Sequence, residues 1–186
     1  MEKYRRLERN LTDLIHEQQL KLGYRRETVR LYFPVSSLAH LLDCPPEMKT
    51  VLECLKDYFR ESSERLGEAE VTHKQDTICL IFPEKAAEYV HIHAGKDPFL
   101  EAFIREISSP SCSFDSLCTL FRSFSDHVRI IRMRDEEFDY LFYFPGGIPN
   151  DYRYCIAFEE EEHHASYHRF IPEDYEDYHF SEGEMI

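Results

Sequence analysis

The chain has no tryptophan, no apolar run approaching the roughly 20 residues of a membrane-spanning helix, no Cys-x-x-Cys pair and, after Arg134, almost no positive charge. The missing apolar run excludes a helical membrane span. Residues 1–20 open with charged side chains and contain no apolar stretch of the kind an export signal needs, so the cytoplasm is the expected compartment. In that compartment Cys44, Cys54, Cys79, Cys112, Cys118 and Cys155 are expected to be reduced thiols, most of them filling the core, and a zinc site built on them is disfavoured. No stretch rich in Gly, Ser or Pro divides the chain, and no repeat occurs beyond the doubled Glu-Asp-Tyr of residues 173–178. There is no Gly-x-Ser-x-Gly elbow for a nucleophilic serine, and no P-loop lysine follows Gly146-Gly147.

What is present is unevenly distributed. Residues 135–186 hold 15 of the 36 acidic side chains and only two of the 22 Lys and Arg, giving that segment −13, whereas residues 1–134 sit at −1. Such a field favours a basic partner and repels a polyanion, so direct nucleic-acid binding is not expected. An apolar content of 42% with 14% aromatics supplies a real core and argues against disorder.

Helical periodicity covers residues 4–22, 36–42, 45–66, 97–107 and 113–124, with Gly23 and Gly67 as stops and Asp97-Pro98 and Ser113 as N-terminal caps. A strand is expected over 28–33 and a hairpin over 70–73 and 77–82. Segment 83–94 is ambiguous: Glu84 to Glu88 has helical composition, whereas Tyr89 to His93 suits a strand. Beyond Asp126 the period becomes two, predicting strands over 128–133, 138–144, 152–158 and 163–170 in a meander. Helices in the first two-thirds and an antiparallel β-meander in the last third make an α+β protein, expected as a single domain over residues 1–180 with a frayed acidic end at 181–186.

Three stretches, GYRRETVRLYFP (23–34), DYRYC (151–155) and YHRFIPEDY (167–175), resemble a family of uncharacterised bacterial proteins of about this length, known only as a domain of unknown function. The resemblance spans nearly the whole chain. It implies one domain and a bacterial cytosol, and it carries no catalytic residue, substrate or cofactor.

The acidic, tyrosine-rich run Glu173, Asp174, Tyr175, Glu176, Asp177 and Tyr178 is the candidate interaction surface: carboxylates steer a basic partner and the rings supply contact area. Its charges also suit a helix N-terminus after Pro172. Alternatively, the run lies over Arg5, Arg6, Arg9, Arg25, Arg26 and Arg30, the only positive cluster. The leading reading is a non-catalytic protein that binds a basic protein. A homodimer through an exposed sheet edge is a further arrangement.

The competing reading is a small metal-dependent enzyme. On a strand, His91 and His93 would project from one face, and His73, Asp97 or His127 would complete a divalent-metal set; on a helix, the two rings point apart. No other cofactor is indicated. His163, His164 and His168 beside Glu159 to Glu162 suit either a pH-sensitive patch or a sheet edge kept soluble by charge, and the edge is favoured. Cys44 before Pro45-Pro46-Glu47 suggests an N-cap of the long helix, with His40 as a base, although capping or burial without catalysis is the simpler role. Gly146-Gly147 reads as a hairpin loop.

Overall fold

The computed structural model describes residues 4–134, 137–159, 164–174 and 184–186. Among the described residues it is an α+β protein with six α-helices in the first two-thirds and an antiparallel sheet after them. The chain forms two compact units, residues 1–96 and 97–186, joined without a Gly- or Ser-rich linker. Among the described residues no helix is long and apolar enough to cross a membrane.

In the first unit, α1 (Arg5–Leu22) buries Leu7, Leu11 and Ile15, a spacing of four that aligns them along one stripe. A short strand, β1 (Val29–Pro34), leads directly into α2 (Val35–Leu42), which ends at Asp43 in the left-handed region. The long helix α3 runs from Met48 to Leu66 and not from Pro45. Consecutive prolines disfavour helical geometry in the residues that precede them, so the helix begins only beyond the pair. Val51, Leu55, Tyr58, Phe59, Ser62 and Leu66 form its buried stripe. The hairpin β2 (Glu70–Lys74) and β3 (Thr77–Phe82) forms as expected, and β3 sits between β1 and β2, antiparallel to both. The ambiguous segment folds as helix α4 (Glu84–His93), burying Ala86, Ala87 and Val90.

Gly67 closes α3 at φ 77°, ψ −177°, a conformation open essentially to glycine alone. A Cβ there would also stand 2.5 Å from Pro83 Cγ, a rigid ring. Gly67→Ala is expected to destabilise the protein by about 2–4 kcal/mol, combining backbone strain with that clash. Chemical denaturation checks it; a loss under about 0.5 kcal/mol would show that the turn accepts another geometry.

In the second unit, Asp97 caps α5 (Pro98–Ile107), its Oδ1 accepting from Leu100 N at 2.9 Å. Ser113 and Ser116 form a reciprocal capping box on α6 (Phe114–Phe124). Both caps stand where the sequence put them. The meander follows as β4 (Arg129–Arg132), β5 (Tyr140–Tyr143), β6 (Arg153–Glu159) and β7 (His164–Phe170). A fifth strand, β8 (Glu184–Met185), pairs antiparallel with β4, giving the order β7-β6-β5-β4-β8. Residues 184–186 are therefore held by backbone hydrogen bonds, Ile186 N donating to Ile130 O at 3.0 Å, where fraying was expected. They cover part of the β4 edge, whose unpaired amides and carbonyls would otherwise be satisfied by water alone.

Rings join helices to sheet in this unit. Phe99 meets Phe121, Phe144 and Tyr154 edge-on at 4.9–5.5 Å, Phe103 meets Tyr167 at 4.9 Å, and Phe114 meets Tyr140 at 4.4 Å. With no tryptophan, the core is filled by Phe and Tyr, in edge-to-face contacts around Phe99 and in stacked or tilted ones such as Phe121 on Phe144, both arrangements that ring quadrupoles favour.

Candidate functional site

The two histidines of the metal reading lie in the last turn of α4, which removes the strand geometry their pairing required. Two residues apart on a helix, they leave the axis in opposed directions. Each is engaged by a tyrosine. His91 stacks on Tyr24 with ring centroids 3.8 Å apart and planes within 7°. The His93 ring lies 4.3 Å from that of Tyr89, and its Nδ1 contacts Tyr89 O at 2.8 Å. Asp97 is occupied as the α5 cap, and His73 stands exposed on β2. Among the described residues no group of three or more His, Cys, Asp or Glu is arranged to hold a metal ion.

Cys44 is not the cap of α3. The N-cap position belongs to Glu47, and the Cys44 amide donates to Ala39 O at 3.0 Å, closing α2 instead. The helix-dipole argument for a Cys44 thiolate thus loses its geometry. All six cysteines are free thiols, as expected. Burial, with Glu106 alongside, pushes the Cys112 thiol up to about 11, the wrong direction for a nucleophile at neutral pH.

Of the acidic candidate surface, Pro172–Asp174 forms a single 3-10 turn directly after β7, with Glu173 exposed. Tyr175, Glu176, Asp177 and Tyr178 lie outside the described residues, as does His163. His164 pairs through its backbone with Glu159, and His168 lies opposite Cys155, its ring stacked 5.7 Å from Phe170.

The N-terminal arginines are partly engaged within their own unit. Arg26 reaches Glu84 and Glu88 of α4, each at 3.5 Å. These contacts are more than half exposed on the arginine side and contribute little to stability. A tighter ion pair joins Arg65 to Glu8, bridging α3 and α1. It sits beside the buried Tyr58 and Ser62, whose hydroxyls are neighbours one helical turn apart.

Sequence reasoning missed one concavity. Asp126, His127, Arg129, Ile130, Pro145, Gly146 and Ile186 line an open cleft of about 600 Å³. Gly147, at φ 69°, turns the adjoining loop, its amide donating to Phe144 O at 3.0 Å. Ser125 Oγ accepts from His127 N at 3.1 Å and fixes the turn into β4. The cleft offers a guanidinium, an imidazole and a carboxylate beside apolar side chains, a set that can orient a polar ligand by hydrogen bonds. The only sequence signal for it was the Ser-x-His turn beside a Gly-Gly loop, and the partners come together through the β4–β8 pairing.

No curated protein matches the chain, and no solved structure matches it. One family model does, described as "Domain of unknown function, E. rectale Gene description (DUF3877)", and it covers residues 4–179. That span takes in both compact units, from Tyr4 at the start of α1 to beyond the acidic run, and agrees with the resemblance carried by residues 23–34, 151–155 and 167–175. The chain belongs to this family of domains of unknown function.

Proposed function

We propose that this is a non-catalytic interaction protein of the cytoplasm, whose acidic, tyrosine-rich segment from Glu173 to Tyr178 engages a basic protein partner. One observation carries the reading: residues 135–186 bear −13 of a total net charge of −14. A field of one sign at one end of a chain raises the encounter rate with an oppositely charged surface, and tyrosines convert the encounter into contact area. The exposed Glu173 next to the edge strand β7 supports it.

The test is recovery of partners from cell lysate by the wild-type protein and by Glu173→Gln/Asp174→Asn/Glu176→Gln/Asp177→Asn, at about 50 and about 300 mM salt. The expected result is a basic protein captured by the wild type at low salt, lost at high salt and absent with the neutralised variant. Recovery of no basic protein at either salt, or equal recovery by both proteins, contradicts the proposal.

A further inference from the structure

The sheet of the first unit has the order β1-β3-β2, so among the described residues β2 is an edge strand paired with β3 alone. The hydrogen bond from Val35 N to Asp76 O at 2.9 Å fixes which backbone groups that edge presents. Asp76 addresses β1, and alternation along an antiparallel strand then turns Ile78 to β1 and Thr77, Cys79 and Ile81 to β2. Pro34 agrees with this phase: it stands opposite Thr77, in a pair that asks for no N–H. Glu70, Thr72 and Lys74 therefore turn their backbone groups to β3, and the N–H and C=O of Val71 and His73 point outward.

The edge is open. Glu70, Thr72, His73 and Lys74 are exposed, and Val71 is half-buried against the core. An open edge of this kind is a template for another strand, and its side chains decide which strand fits.

Glu70-Val71-Thr72-His73-Lys74 places one acid and one base at equal distances from Thr72, all three on one face of the strand. Two copies paired antiparallel about a two-fold axis at Thr72 bring Glu70 of each copy opposite Lys74 of the other, and Thr72 opposite Thr72. Val71 then stands opposite His73 of the second copy, and the two exchange their outward N–H and C=O groups. The charged pairs and the threonine pair fall at the non-hydrogen-bonded sites, where side chains approach most closely. Opposite charges and paired threonines both stabilise such sites. Neighbouring registers lose these contacts. Centring on Val71 sets Glu70 opposite Thr72, and centring on His73 sets Lys74 opposite Thr72 and Glu70 opposite Asp76, a pair of like charges.

We infer that β2 pairs with β2 of a second copy of this chain, in an isologous dimer whose continuous sheet has the order β1-β3-β2-β2-β3-β1. The contact uses neither the acidic segment nor the partner proposed for it, so the two readings fail separately.

Charge reversal tests the register. Glu70→Lys and Lys74→Glu each set like charges opposite one another at both symmetry-related sites, whereas Glu70→Lys/Lys74→Glu restores opposite pairs with the signs exchanged. Both side chains are exposed, so all four proteins should give the same circular dichroism. Sedimentation of the intact chain at about 50 mM salt, loaded from about 10 μM to about 1 mM, covers the weak association expected of so short an edge. The expected result is a monomer–dimer equilibrium for the wild type, weakened about tenfold or more by either single reversal and recovered to within about threefold by the double variant. A wild-type chain that stays monomeric throughout overturns the inference, as does a dimer indifferent to the single reversals or not rescued by the double one.

Discussion

Phe99→Ala is expected to destabilise the C-terminal unit by about 3–5 kcal/mol. The ring is fully buried and lies with centroids 4.9–6.2 Å from Phe103, Phe121, Phe124, Phe144 and Tyr154. Truncation removes the transfer free energy of the ring and leaves a cavity whose lining loses its dispersion contacts. The surrounding rings belong to two helices and the sheet, so no single element can slide in to fill the gap. A chain of this size shifts its melting temperature by about 2–4 °C per kcal/mol, so the expected drop is about 10 °C. Phe99→Leu should recover more than half of it. A loss under about 1 kcal/mol would mean that the cluster is not packed as described.

Stability is also expected to fall steeply in alkaline solution. Burial pushes the Tyr58 phenol well above its ordinary value, with the Glu8 carboxylate adding to the effect. Burial does the same to Tyr154, against the opposing influence of Arg169 and of the Asn150 hydrogen bond. A folded-state pKa above the unfolded one favours the neutral form in the native protein, so the stabilisation is complete below the unfolded value near 10 and is lost as pH rises beyond it. Each phenol that stays protonated while its unfolded counterpart ionises contributes a slope of about 1.4 kcal/mol per pH unit. The raised thiols of Cys112 and Cys118 start the decline about one unit lower, from near pH 9. Denaturant titrations under reducing conditions between pH 8 and pH 11 should show a plateau, then a drop. In Tyr58→Phe/Tyr154→Phe the part above pH 10 should flatten, whereas a wild-type curve that stays level to pH 11 would contradict the burial of both phenols.

The sequence was most legible where local chemistry decides structure. Asp97-Pro98 and Ser113 announced their helices because a cap is a contact between near neighbours. The four meander strands followed from alternation alone. Legibility ended where distant segments decide. Tyr89 to His93 carries β-prone residues, but Ala86, Ala87 and Val90 share a buried helical stripe, and tertiary packing overrode local preference. The same choice undid the His91-x-His93 pairing. Prolines 45 and 46 moved the start of α3 and with it the role of Cys44. The β4–β8 pairing had no local signal, because two residues of strand beside an acidic run do not alternate visibly. The cleft that this pairing helps to line left only the Ser-x-His turn and the Gly-Gly loop as local signals, because Ile186 reaches it through the pairing. Charge asymmetry, by contrast, is a property of the chain itself and needed no fold to be read.

Titration of a lysine-rich peptide into the wild-type protein and into Glu173→Gln/Asp174→Asn/Glu176→Gln/Asp177→Asn isolates that charge directly. The account predicts binding that weakens with salt and falls at least tenfold in the neutralised variant, with both proteins equally folded by circular dichroism. Equal affinity for the two proteins would contradict it, because the negative field used in binding would then lie elsewhere on the molecule.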